Sequence, residues 1–418
     1  MHVSRVLRKL AVLVLASLML AGARPAKMQP RLAAAMFATA RWPYLPGSIL
    51  PLRIDGITVP YHIAVLGIGQ LVQNSNAYSI PSTATGGSAL LIVGNAHALG
   101  AKKLQIASAP RAGRPLLFVA SYDDGLVVHD PSSFSVRGVL ATGGVPSDVA
   151  VDRSGRVAAT DTQGSELTLL SLAPWNVEKV GGVVAGDDVD FDPTTRAVFV
   201  TNRDYNGSGA LTRVGPGGEV TRVLTGATAE GLAVDQRRAI VYVANANDGT
   251  IAFVDANTLR VLRRFPAVAR VFSLALSPDG DRLYATSNQS ADSPFAKSGA
   301  AIAISLNGAA PRVVARSADL AFPIGIALDA RSDTLFVSDE ERREIDVLDA
   351  RTLRARRAPL RTCAIPWKVT VDEPSERLYV PCAGDNEIDV FDTRTLRRVA
   401  HAPFATGGYP LAVAVWHP

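Results

Sequence analysis

The chain has 418 residues, 48% of them hydrophobic and 19% charged, with 34 Gly and 26 Pro; this composition excludes disordered and collagen-like chains and leaves a globular protein with a large core and many turns. Its formal charge of +5 comes from 43 Lys and Arg against 38 Asp and Glu. Outside residues 354–357 no basic run stands out, so the clustered phosphate contacts of a nucleic-acid-binding face are not expected.

Arg5, Arg8 and Lys9 precede the apolar run 10–20, and Ala21-Gly22-Ala23 follows. That pattern predicts a secretory signal peptide over residues 1–23, cleaved after Ala23, with an uncleaved anchor as the alternative. The run is shorter than the roughly 20 apolar residues of a spanning helix, and no Cys follows it to carry a lipid. A periplasmic or secreted monomer, not embedded in a membrane, is the expectation. Removing the signal takes three positive charges, and +5 less 3 leaves +2. Residues 24–44 read as a linker with one or two helical turns. In 45–110 the short runs 50–54, 61–66, 77–80, 89–93 and 103–107, parted by glycines, predict a small β-module. It is similar in size to bacterial immunoglobulin-like modules, with 109–113 as a hinge; the alternative is a cap or extension of the larger domain downstream of residue 115.

From residue 115 a unit recurs. Its clearest copy, 230–262, has three short apolar runs separated at Asp235, Asn247-Asp248-Gly249 and Asp255-Ala256-Asn257, predicting three strands and two hairpins. Aligned on Leu232-Ala233-Val234-Asp235, copies begin at 149, 189, 232, 274, 326, 369 and 413, in steps of 40, 43, 42, 52, 43 and 44 residues. Such a period suits one four-stranded propeller blade. The last copy lacks the strands that the segment after 116 has in surplus, so 411–416 should pair beside 116–121 and close the ring. The predicted class is therefore all-β: a seven-bladed β-propeller over 115–418. The longest step owes its excess to 288–299, a polar loop that reads either as functional or as a tolerated insertion.

The strands VFVTN, VYVAN, LFVSD and LYVPC, with the turns DANTL, DARTL and DTRTL, resemble the YVTN-type β-propeller repeat proteins over roughly 115–418. The resemblance implies an exported, lactonase-like seven-bladed fold. It leaves function open, because propellers host binding, scaffolding and several chemistries.

In such a blade the chain runs outward, so the connection into each innermost strand and the loop after each second strand share one face. Asp152, Asp235, Asp329 and Asp372, with Asp130, Asp255, Asp349 and Asp392, fall on the opposite face, where Asx turns account for them. On the first face residue types change from copy to copy. Asp148, Asp188, Glu230, Trp367 and Lys368 are the ligand-binding candidates there: converging carboxylates, one large amphipathic ring and one cation. The bland reading is that the carboxylates are solvated rim residues, Trp367 packs beneath a neighbouring blade and Lys368 pairs with Asp148 or Asp188, plugging the channel.

An oxygen-rich funnel suits Ca²⁺ or another divalent cation. By resemblance to lactone-hydrolysing propellers, in which such an ion polarises the ester carbonyl, Asp161, Asn202, Glu230 and Asn245 are residues of the right type to hold it. Zinc and iron are not expected, since His62, His97, His129, His401 and His417 share no ligand spacing, and Gly207-Ser208-Gly209 lacks the setting of a nucleophile elbow. The leading expectation is an exported noncatalytic propeller that holds a small molecule or protein partner at the funnel mouth. The alternative is a divalent-metal-dependent lactone hydrolase; a third reading, an electron-transfer or amine-oxidising subunit, needs a cofactor-bearing partner. Cys363 and Cys382 fall on the same face of one blade, which predicts a disulfide contributing about 3 kcal/mol.

Overall fold

The computed structural model describes residues 41–51, 62–72, 77–94, 99–111, 113–203, 208–288 and 299–418. The predicted signal peptide, the linker up to residue 40 and the loop residues 289–298 lie outside the described residues, as do His97 and Gly207. All helix and strand assignments among the described residues are β. Two compact units divide the chain: one comprises the residues up to Pro110 with Gly138–Gly143, the other Arg111–Arg137 with Gly144–Pro418.

The first unit holds two three-stranded sheets. One runs in the order Ile49–Pro51, Ala77–Ser79, Gln70–Leu71, the other His62–Gly67, Gly87–Gly94, Leu99–Ile106. Tyr44, Leu45, Leu50, Tyr78, Leu91 and Leu104 form its buried core. The Tyr78 hydroxyl donates to the Ile68 carbonyl, and burial pushes its pKa up to about 12.

Seven four-stranded antiparallel sheets form a closed ring over residues 116–416. In the clearest repeat the order outward from the axis is Ala229–Asp235, Ile240–Asn245, Thr250–Asp255, Val261–Pro266. The other innermost strands are Val149–Val151, Gly186–Phe191, Val271–Leu276, Pro323–Asp329, Thr370–Asp372 and Pro410–Trp416. Each neighbours the next, and the last neighbours the first. Counting from Val149 as blade 1, blade 7 is Pro410–Trp416 followed outward by Leu116–Ser121, Gly125–His129 and Val136–Leu140. Its register sets Val413 against Val119 and Trp416 against Leu116, the closure expected from the repeats.

Second strands such as Leu116–Ser121, Val198–Asn202 and Thr334–Asp339 are buried at every position. They are flanked by strands on both edges and by blades on both faces, which is why they read as continuous apolar runs. Phe199 and Leu211 of blade 2 pack with Leu232, Val243 and Val254 of blade 3. Each such side chain stabilises the ring by about 1.5–3 kcal/mol through burial.

The turn motif has a local cause. Asp255 Oδ1 accepts the N–H groups of Asn257 and Thr258 at 3.0 and 2.7 Å, and Leu259 donates to the Asp255 carbonyl at 2.9 Å. Leu259, Leu353 and Leu396 all sit at φ 56°, the left-handed turn position. The outermost strand of blade 5 is Leu360–Arg361, and the basic stretch 354–357 precedes it. Arg356 donates to Asp349 Oδ2 at 2.8 Å and folds that segment back over the turn, and Pro359 has no N–H for a ladder.

Candidate functional site at the mouth of the ring

Where the chain enters an innermost strand, a β-bulge recurs in five of the seven blades, between Gly186 and Val189, Ala229 and Leu232, Val271 and Leu274, Pro323 and Ile326, and Pro410 and Ala412. A bulge adds an unpaired residue and re-aims its neighbours. Asp187-Asp188, Glu230-Gly231, Phe272-Ser273, Ile324-Gly325 and Leu411 occupy these places. Their free backbone groups are met by hydroxyls from second strands. Thr201 Oγ1 accepts the Asp188 N–H at 2.9 Å and donates to the Glu230 carbonyl of blade 3. Thr286 does the same between Ser273 N–H (3.0 Å) and the Ile324 carbonyl (2.8 Å), and Ser338 between Gly325 N–H (2.8 Å) and the Trp367 carbonyl (2.7 Å). One hydroxyl thus satisfies its own blade and ties it to the next.

Sequence reasoning missed these ties, although their signal is visible as Thr160, Thr201, Thr286 and Ser338 at one place in the repeat.

The repeat position that closes the second strand, or in blade 1 follows it by two residues, has another shared task, bonding the chain that leads into its own blade; for Asn245 the partner is in the outermost strand of blade 2. Asp161 Oδ1 accepts from Val145 N–H at 3.0 Å, and Asn202 Nδ2 donates to the Val184 carbonyl at 2.7 Å. Asn245 Nδ2 donates to the Thr225 carbonyl at 3.2 Å, and Asp339 accepts from the N–H groups of Ala321 and Phe322. Ser287 and Ser121 bond the carbonyls of Ala269 and Gly408. In blade 6 the position is Cys382, disulfide-bonded to Cys363 of the connection with Cα atoms 5.6 Å apart. Asp161, Asn202 and Asn245 therefore bond backbone in three separate blades, and none of these bonds goes to Glu230. Among the described residues no group of three His, Cys, Asp or Glu is placed to hold a metal ion.

Three of the other candidates do converge. Lys368 Nζ lies 3.2 Å from Asp188 Oδ1 and 3.6 Å from Asp148 Oδ2, joining blade 6 to blades 2 and 1. The two carboxyls also fix inner strands: the same Asp148 Oδ2 accepts Val189 N–H at 3.0 Å, and the second oxygen of Asp188, Oδ2, accepts Leu232 N–H at 2.7 Å. Glu230 accepts Nε of Arg203 at 2.7 Å and also its Nη2, and Arg203 reaches Asp187 at 3.7 Å. Trp367 meets Phe272 edge to face, with ring centroids 6.3 Å apart.

Burial, with the nearby charge of Asp188, raises Asp148 well above the carboxylate range against the pull of Lys368. Asp188 goes the other way: burial opposes its charge, but Lys368, the Asp148 side chain and Leu232 N–H hold it low. Burial opposes the charge of Lys368 as well, and Asp148, Asp188 and Asp187 together outweigh it and raise its pKa. Glu230 is pushed up to about 8 by burial and by Asp187, in spite of Arg203. Asp190, on the same inner strand as Asp188, is pushed up to about 7 by burial.

A cavity of about 210 Å³ opens beside Lys368 and Arg203, and Asp148, Asp188 and Glu230 are not on its wall. Tyr122, Arg203, Phe272, Trp367, Lys368 and Tyr409 are large side chains on that wall, with Asp187 as its one carboxylate. Tyr409 carries no signal in the repeat beyond its place just before the last inner strand; Arg203 and Phe272 stand on the predicted face but bear no catalytic pattern.

No family model matches the chain, and neither does any curated protein sequence. Solved structures do resemble it. The periplasmic gluconolactonase of Pseudomonas aeruginosa shares 14% identity at a TM-score of 0.60, over 73% of this chain and 99% of that one. A functionally unknown protein from Desulfotomaculum acetoxidans shares 16% at 0.59, over 72% and 99%. Hydrazine synthase of Kuenenia stuttgartiensis shares 14% at 0.58, over 67% and 92%. The chain is a β-propeller. At these identities the likeness reaches the fold alone, and the three names attach it to no common chemistry.

Proposed function

We propose that this chain is an exported, noncatalytic YVTN-type propeller that holds a small-molecule ligand at the mouth of its ring. The observation that carries the reading is the cavity itself, whose wall takes residues of differing type from five blades, 1, 2, 4, 6 and 7. Concave sites with a few convergent polar groups are the usual ligand positions. The residues of metal-holding type are meanwhile engaged in anchoring backbone. Cleavage after Ala23 and a periplasmic or secreted location belong to the same proposal. Among the described residues no helix is long and apolar enough to cross a membrane.

A small-molecule library screened by tryptophan fluorescence, followed by Trp367→Ala and Arg203→Ala, tests the site: both variants are expected to lose binding while remaining folded. Retention of binding by both, with loss on deleting residues 45–110, assigns the ligand to the N-terminal unit. Glucono-δ-lactone hydrolysis assayed with Ca²⁺, Mg²⁺ and Mn²⁺ tests the alternative. Metal-stimulated turnover abolished by Glu230→Gln makes the chain a lactonase.

A further inference from the structure

Resting on the mouth as the ligand site, we infer that its ligand is a small aromatic monocarboxylate, its anion met by Arg203 and Lys368 and its ring by the aromatic wall. The charged side chains lining the cavity are these two cations and one acid, Asp187, and two less one leaves a single positive charge. Asp188, the nearer acid partner of Lys368 at 3.2 Å, is not on that wall. Attraction falls with distance, so a cation on the wall outweighs a counter-ion set behind it. With 39% of its side chain exposed, Arg203 stays within reach of a molecule in the cavity.

The acids behind the wall do little to cancel this charge. Burial and Asp187 push Glu230 up to about 8, so at neutral pH it accepts from Arg203 largely as a neutral carboxyl. Burial and Asp188 raise Asp148 too, which leaves Lys368 with Asp188 as its ionised partner. Hydrogen bonds from cations to a carboxylate are among the stronger ones, and a site partly closed to water strengthens them. The rest of the wall suits a flat apolar body. Tyr122 meets Tyr409 edge to face at 6.0 Å between centroids, Phe272 meets Trp367 at 6.3 Å, and all four rings line the cavity with Leu411. Contacts of this kind extend readily to one more ring. A volume of about 210 Å³ is below the roughly 300–1,000 Å³ of drug-sized sites, which limits the ligand to a small one. A phosphate ester carries about −1.5 to −2 at neutral pH, more than the single excess charge beside Asp187 offsets.

The test is a titration of the full chain with benzoate, its neutral isostere benzamide, benzylamine, phenyl phosphate and acetate. It follows the indole N–H resonance of Trp367, assigned by its loss in Trp367→Phe. Benzoate is expected to bind at least about tenfold more tightly than benzamide, and more tightly than the other three. Arg203→Gln should erase the preference over benzamide, with an unchanged fold checked by circular dichroism, and Arg203→Lys should restore part of it. Equal affinity for benzoate and benzamide, or tighter binding of benzylamine, overturns the anion assignment. Tighter binding of phenyl phosphate overturns the carboxylate, and acetate binding as tightly as benzoate overturns the aromatic body; each of these results leaves the mouth as the ligand site. If none of the five moves the Trp367 resonance, the assignment also falls, and the library screen with its Arg203 and Trp367 variants decides the mouth separately.

Discussion

On the turn face of the ring Asp255, Asp349 and Asp392 are satisfied by N–H groups two and three residues onward. On the mouth face Asp188 is held by Lys368, 180 positions away, and by Leu232, 44 away. The same residue type is thus a self-contained turn device on one side and part of a network spanning three blades on the other. A turn carboxylate stays near water and lowers its pKa, whereas a mouth carboxyl is desolvated and its charge must be met by a remote partner.

The largest test of this contrast is Lys368→Met, which leaves Asp148 and Asp188 buried without their cation. A loss of about 3–5 kcal/mol by urea denaturation at pH 7 is expected. A loss below about 1 kcal/mol would put the mouth network on the same footing as exposed ion pairs. Next comes Cys363→Ser with Cys382→Ser, which removes a bond enclosing 19 positions and should cost about 3 kcal/mol; reduction of the unaltered chain should give the same shift in denaturation midpoint.

The third test is pH. Glu230 ionises near 8 in the fold and near 4.3 when unfolded. Between these values the folded state binds more protons, so the contribution of Glu230 is complete below pH about 4.3 and is lost as pH climbs to about 8. Glu230→Gln should flatten that decline over pH 5–8 in a series of denaturation curves. A turn residue carries the opposite sign. Hydrogen bonds from Thr258 hold Asp255 below the usual carboxylate range, so its contribution is present at neutral pH and lost on acidification. The smallest expected effect is accordingly that of Asp255→Ala, about 1 kcal/mol at pH 7, vanishing in acid.

Much of the ring was legible because its rules are local. The tetrad around Leu232, the strand ending at Asn245 and the turn from Asp255 to Leu259 each fold within one hairpin, and their recurrence predicted the sheets and the closing pair. The mouth was legible only as a face. That Lys368 lies among Asp148 and Asp188 follows from blades 1, 2 and 6 meeting at the axis, and the sequence does not say which of two acids it chooses; the structure has it between both. Asn202 and Asn245 have the right chemistry for a metal, but the repeat holds a second reading of them. In the same position stand Ser287 and Cys382, and what these types share is the ability to fasten a connection, by hydrogen bond or disulfide.

Blade 7 pairs Val119 with Val413, and that pairing places a condition on the order of events during synthesis. Six blades can be assembled from neighbouring hairpins as the chain lengthens, but the strand Leu116–Ser121 waits, one edge unpaired, until Pro410–Trp416 exists. Such a long-range pairing is slow to find, and an open apolar edge invites the wrong partner in the meantime. A chain cut just before residue 410 would therefore lose far more than one strand's share of stability. It would remain an open arc with two exposed ends, prone to join other arcs, so the final seven-residue strand governs yield more than any residue of the mouth.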